Sequence, residues 1–329
     1  MLRLPPFQYE AARSIGEAVE RLVAHGGQAL VVSGGTDLYA NMKQRLFTPK
    51  ALIGLKPVAD LRYIRYDEAR GLDIGALTTL TDIAESELVK RRYPALAQAA
   101  SSISTPQLRN MGTLGGNVCL DTRCNYYNQN LDWRMALGYC MKKDGDICRV
   151  APKSPSCVAV NSSDTAPVLV AYGATLRLEG PSGRREVAAA DFFRNDGIRA
   201  WAKRPDEIVT SVALPPPAKE TRSAYRKLRL RNSFDFPILG IAAVIELADG
   251  VCANARVVLG AVAPKPVDAP LAAAALVGTR LEPDALEAAA DAAFAVGKPL
   301  DNTSGSIPYR KRMLRVFARR ALEALANPT

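Results

Sequence analysis

Apolar and polar positions along the chain predict helices and strands in alternation, followed by a strand-rich part. Ala11, Ile15, Ala18, Val19 and Leu22 recur at helical spacing and stop at Gly26-Gly27, so residues 11–24 predict a helix. Ala29-Leu30-Val31-Val32 predicts a short buried strand, and 51–55 and 72–76 predict two more. Helices are predicted over 79–88 and 95–102. Regular structure returns at 167–171 and 174–178, a loop or short helix starts at Asp191, and 209–214 predicts a strand. Pro215-Pro216-Pro217 then forms a stiff linker and the clearest domain boundary. Beyond it, 225–231, 241–247 and 255–262 alternate as antiparallel strands do, and alanine-rich helices are predicted over 283–296 and 309–325.

Residues 119–157 break this pattern. They are rich in Asn, Asp, Lys, Arg and Tyr and poor in Val, Ile and Leu. A segment this long without an aliphatic stripe buries too little surface to order itself. It is either disordered or held by something other than a core, and metal ligation is one such source.

Four cysteines crowd this segment: Cys124, Cys140, Cys148 and Cys157, with fifteen, seven and eight residues between consecutive members. Cys119 and Cys252 stand outside the set. The N-terminus, Met1-Leu2-Arg3-Leu4-Pro5-Pro6, lacks an apolar signal-peptide core, so a cytoplasmic location is expected. In a reducing compartment clustered cysteines point to metal or catalysis rather than to disulfides. Four thiolates can hold tetrahedral zinc or an iron–sulfur cluster. There is no C-x-x-C pair, and spacing alone leaves zinc slightly ahead, iron–sulfur second and free thiols third.

Two glycine turns share one plan: Ser33-Gly34-Gly35-Thr36-Asp37-Leu38 after the strand at 29–32, and Thr113-Leu114-Gly115-Gly116-Asn117. Adjacent glycines let the backbone approach a ligand closely, and their amides can form a nest for phosphate oxygens. Two such turns could clamp a pyrophosphate, or they are tight turns with no ligand. Neither is a G-x-G-x-x-G or a P-loop.

Net charge is +10, but the basic residues are dispersed and carry no nucleic-acid motif, so a solvated basic surface is favoured over nucleic-acid binding. An acidic partner subunit or electron donor stays open. No apolar run has the length of a membrane helix, so no membrane insertion is expected. The single histidine, His25, limits triads, multi-histidine zinc sites and haem pairs. Its place before Gly26-Gly27 predicts contact with the last carbonyls of a helix.

The run Thr113-Leu114-Gly115-Gly116-Asn117-Val118-Cys119, then Asp121-Thr122-Arg123-Cys124-Asn125-Tyr126-Tyr127-Asn128-Gln129, Trp133-Arg134 and Gly138-Tyr139-Cys140, resembles a known family. It is similar to the FAD-binding subunit of 4-hydroxybenzoyl-CoA reductase, of the xanthine oxidase family of molybdenum enzymes. The resemblance covers nearly the whole chain, and 113–157 is its most specific part, since most of that family lacks the cysteine-bearing insertion.

The resemblance implies that Cys124, Cys140, Cys148 and Cys157 ligate a 4Fe–4S cluster. It implies FAD contacts from Ser33, Gly34, Gly35, Thr36, Asp37 and Leu38 in a first loop, and from Thr113, Gly115, Gly116 and Asn117 in a second, with Arg109-Asn110 leading into it. Asp164, within Ser163-Asp164-Thr165-Ala166-Pro167, is expected near the FAD ribose. Lys227, in Tyr225-x-Lys227 with Asp235, is expected at the flavin ring; otherwise it is a charged strand face beside Arg229 and Arg231.

The implied fold is α+β. Residues 1–217 would form a two-part FAD-binding domain of the vanillyl-alcohol oxidase type, with the insertion at 119–160. Residues 218–329 would form a smaller α+β domain of the CO dehydrogenase flavoprotein type. The implied partners are a large molybdopterin subunit, a small subunit with two 2Fe–2S clusters, and a ferredoxin-type donor. Reductive dehydroxylation would occur on the large subunit, so no catalytic residue is expected in this chain. The alternatives are an FAD subunit of a related molybdenum hydroxylase with electrons flowing outward, a zinc-stapled flavin-binding module, and an interaction scaffold with empty glycine turns.

Overall fold

A computed structural model describes residues 2–327. Its three sheets follow one another along the chain. Strands β1 (Gln8–Ala11), β2 (Ala29–Val32) and β3 (Ala51–Gly54) form a parallel sheet with β3 in the middle. The helix Ile15–Ala24 crosses between β1 and β2 and buries Ala18, Val19 and Leu22 in the core that holds Ala51 and Ile53. Ser14 caps it, accepting from the Glu17 amide at 3.1 Å, so Ala11 belongs to β1 and not to the helix. His25 does not bond the helix carbonyls through its ring. Its Nε2 lies 2.7 Å from the Glu10 carboxylate, a stronger acceptor that β1 places beside the helix end.

Strands β4 (Ile64–Asp67), β5 (Gly71–Gly75), β6 (Thr175–Gly180), β7 (Gly183–Ala188) and β8 (Ile208–Leu214) form an antiparallel sheet in the order β4-β5-β8-β6-β7. The chain leaves this sheet after β5 and returns at β6. The excursion carries the helix Pro94–Ser102, the second glycine turn and the cysteine segment. The predicted helix at 79–88 divides at Ser86, whose hydroxyl caps a second helix, Glu87–Arg92.

Strands β9 (Thr221–Leu228), β10 (Leu239–Ala248), β11 (Val251–Gly260) and β12 (Val267–Asp268) form the third sheet, antiparallel in the order β12-β11-β10-β9. Both of its faces are buried. Leu239, Ile241, Ala243 and Ile245 of β10 pack against the helices Pro283–Val296 and Ile307–Ala326. Ala242 and Val244 join the core that holds Leu96, Ala99, Val168 and Leu169. The period of two therefore sends alternate β10 side chains into two different cores, which is why this strand reads as a continuous apolar run.

A buried charge joins these parts. Asp164, 3% exposed, sits at the N-terminus of the helix Thr165–Ala171. It accepts from the Tyr225 hydroxyl at 2.7 Å and from the Lys227 ammonium at 2.9 Å, both on β9. Lys227 also donates to the Ser102 carbonyl at 3.1 Å. Burial, and then the Asp164 charge, push the Tyr225 phenol well above its ordinary range, so it stays protonated and donates.

The cysteine segment is ordered, and the forces that hold it are mainly polar. Arg134, 2% exposed, donates to the carbonyls of Gln44 and Arg45 at 3.0 and 3.2 Å. Asn302 donates to the Val158 carbonyl at 2.6 Å and accepts from the Asn125 amide at 3.0 Å. Leu46, Tyr127 and Cys140 make a small apolar cluster beneath. Polar struts replace the missing aliphatic stripe, each satisfying backbone groups that no sheet ladder reaches.

Breaking the Asp164 pair leaves a buried carboxylate short of its counter-ion. Lys227→Met is expected to lose about 3–5 kcal/mol in denaturant unfolding, with partial recovery in the double variant Asp164→Leu/Lys227→Met. A loss below about 1 kcal/mol, the level of an exposed pair, would contradict this.

Candidate functional site

The two glycine turns meet. A Cβ on Gly34 would collide with the Met111 carbonyl, at the entry to the second turn, and one on Gly35 would strike the Tyr39 ring. Gly35 also has φ +69°, so the first turn depends on glycine twice over. Among the described residues, the amides of Gly34, Gly35 and Thr36 donate to no other protein group. They form a set of free donors of the kind that receives phosphate oxygens. Ser33 and Leu38 flank them, half-buried.

The second turn is built differently. Gly115 donates to the Ala76 carbonyl at 2.9 Å, and Gly116 donates to the Thr113 hydroxyl at 3.2 Å. Thr113 thus caps the short helix Leu114–Val118. Here glycine serves close packing, since a Cβ on Gly115 would lie 2.8 Å from that of Ala76. Asn117 ties this turn to the next segment: its Oδ1 accepts from the hydroxyls of Ser163 and Thr165 at 2.8 and 2.7 Å.

The other predicted residues lie around these turns. Arg109 donates to the carbonyls of Ile103 and Ser104 at 2.9 and 3.3 Å, and Asn110 accepts from the Thr81 hydroxyl at 2.6 Å. Burial, then the charge of Arg229, lowers the Arg109 pKa. Asp164 and Lys227 are brought together, each as the other's partner. Asp235 instead holds Arg231, at 2.7 Å.

Cys124, Cys140, Cys148 and Cys157 line one pocket, together with Tyr126, Tyr127 and Lys142. None is in a disulfide. Burial, reinforced by the other three sulfurs, pushes the Cys124 thiol up to about 12, and burial raises Cys157 as well. Among the described residues, no three of His, Cys, Asp and Glu converge closely enough to hold a metal ion. The four sulfurs are thus brought to one cavity without forming a point-like coordination site. Cys119 packs against the main core and Cys252 lies within the C-terminal one.

Arg123 couples the two places. Its guanidinium pairs with Asp37 of the first turn and stacks 3.6 Å from the centre of the Phe236 ring. Burial raises the Asp37 pKa, against the lowering by Arg123. Arg123 has no role of its own that its sequence neighbourhood predicts. Its only signal was its place directly before Cys124, and its reach back to residue 37 is a product of the fold.

Residues 5–217 match the model of the FAD-binding domain in molybdopterin dehydrogenases. The chain belongs to this family. Residues 223–325 match the CO dehydrogenase flavoprotein C-terminal domain. This FAD-binding oxidoreductase chain is 32% identical over 320 residues to the carbon monoxide dehydrogenase medium chain of Hydrogenophaga pseudoflava, covering 97% of both. It is 35% identical over 269 residues to the aldehyde oxidoreductase FAD-binding subunit PaoB of Escherichia coli K12, covering 79% of this chain and 82% of that one. A solved structure of carbon monoxide dehydrogenase from Hydrogenophaga pseudoflava, lacking the Mo-pyranopterin moiety, superposes with a TM-score of 0.80 at 32% identity and covers 98% of both chains. No helix among the described residues is long and apolar enough to cross a membrane.

The free amides of the first turn and its glycine geometry suit the FAD pyrophosphate. Gly34→Ala should force this turn off the Met111 carbonyl. The purified variant is expected to retain less than about a tenth of the flavin, as a loss of about 1.4 kcal/mol or more in binding would give. Full flavin occupancy in that variant, measured by absorbance after denaturation, would sink the assignment.

Proposed function

We propose that this chain is the electron-transfer subunit of a molybdenum-containing complex like 4-hydroxybenzoyl-CoA reductase, with FAD at the glycine turns and a 4Fe–4S cluster at the four cysteines. The observation that carries the proposal is the convergence of Cys124, Cys140, Cys148 and Cys157 on one pocket, joined to the first glycine turn by Arg123 and Asp37. A four-iron cluster is a cube, not a point, so its thiolates stand farther apart than those around one zinc ion. Four cysteines lining one pocket supply the number and kind of ligands that such a cluster takes.

When bound, FAD exchanges one or two electrons and the cluster exchanges one. The chain's own residues position and shield these groups. Gly34, Gly35 and Thr36 offer amides to the pyrophosphate, and Asn117 holds the second turn against Ser163 and Thr165. Asp164 and Lys227 neutralise each other beside that turn, so Lys227 can meet the flavin ring only while paired. The buried thiols lose their protons on metal binding, and the elevated Cys124 pKa makes ligation favour high pH.

In this reading residues 1–217 are the FAD domain, of the vanillyl-alcohol oxidase type, with 119–160 as the cysteine insertion, and residues 218–329 are the C-terminal domain. The partners are a large molybdopterin subunit, a small subunit with two 2Fe–2S clusters and a ferredoxin-type donor. Substrate chemistry belongs to the large subunit. A second reading, with electrons flowing outward from a molybdenum hydroxylase, draws on the comparably similar carbon monoxide and aldehyde enzymes.

Anaerobic purification with metal and flavin analysis tests the assignment. About four irons and one FAD per chain are expected, and Cys157→Ser should lose iron while keeping FAD. Zinc without iron, or FAD with no metal, would overturn the cluster.

A further inference from the structure

Lys142 sits among the four cysteines and is neither a metal ligand nor a contact of the glycine turns. Its side chain is only 6% exposed. The ammonium is held on several sides: by Asp121 Oδ1 at 2.8 Å, by the carbonyls of Thr122 and Gly197 at 2.8 and 2.9 Å, and by the Thr122 hydroxyl. It also lies 4.4 Å from the centre of the Tyr127 ring. An ammonium so fully bonded cannot swing out to water, so its charge is fixed in place.

That charge lies at the wall of the cysteine pocket. Lys142 lines their pocket, whereas its counter-ion Asp121 does not. Asp121 stands behind, with its Oδ2 buried and unpartnered among the described residues. The ammonium therefore stands on the Cys157 side of the pocket, bonded to the carbonyl of Gly197. Gly197, which Lys142 grips, presses on the same place. Its amide donates to the Cys157 carbonyl at 2.8 Å, and a Cβ there would lie 2.7 Å from Cys157 Sγ. One side chain thus brings a positive charge to the pocket and secures a wall of it.

We propose that Lys142 is a positioning residue that raises the reduction potential of the iron–sulfur group held by the four cysteines. The proposal rests on the cluster reading above. Gaining an electron makes a cluster with four thiolates more negative, and a fixed ammonium nearby favours that state. Asp121, as the counter-ion, opposes the effect and limits its size.

The test uses the full chain loaded anaerobically with iron and sulfide. Iron per chain and the midpoint potential, followed by electron paramagnetic resonance, are compared in wild type, Lys142→Met, Lys142→Arg and Asp121→Asn. The expected result is a more negative potential in Lys142→Met, near-recovery in Lys142→Arg and a more positive potential in Asp121→Asn. Unchanged potentials in Lys142→Met and Asp121→Asn, at full iron content, would overturn the proposal. If Lys142→Met fails to hold iron, Asp121→Asn decides: a rise supports the proposal and no change refutes it. Wild type that takes up no iron would remove the cluster reading, and this proposal with it.

Discussion

A carboxylate taken out of water must find partners, and Asp164 finds both of its own on β9. This demand organises the middle of the molecule. It fixes the start of the helix Thr165–Ala171 against the third sheet, and Ser163 and Thr165 on either side are held by Asn117 of the second glycine turn. The second glycine turn, the central helix and the C-terminal sheet are therefore one connected polar unit inside two apolar cores. A pair buried this well contributes little net stability over an apolar substitute, but it fixes register, because losing one partner strands the other.

The cysteine segment follows the opposite plan, with little core and many struts. Arg134, Lys142, Asn302 and Arg123 each bond groups outside their own turn. The struts tie the cysteine segment to the first turn, to the loop at Gly197 and to the C-terminal unit. Such an arrangement holds four sulfurs around a cavity while leaving their protonation, and so their metal binding, to the solution conditions.

The periodic parts of the fold were legible in the sequence because burial there is one-sided or complete. The strands at 29–32 and 241–247 and the helices at 283–296 and 309–325 agree with the structure to within a few residues. Boundaries set by single side chains were less visible, as at Ser14 and Ser86, where one hydroxyl decides where a helix begins. Within the site, the glycines of the first turn announced themselves. The spent amides of the second turn did not, since nothing in Gly115-Gly116 distinguishes a phosphate nest from close packing on Ala76. Long-range pairs such as Arg123 with Asp37, His25 with Glu10 and Lys142 with Gly197 are products of the fold and leave no local signature.

The central claim is that the four-cysteine pocket holds an iron–sulfur cube beside a flavin. Iron-edge X-ray absorption on the anaerobically purified chain addresses it directly. The account predicts iron ringed by sulfur, with a second shell of iron–iron scattering. Zinc in a sulfur shell with no metal–metal scattering, or no metal above background, would contradict it.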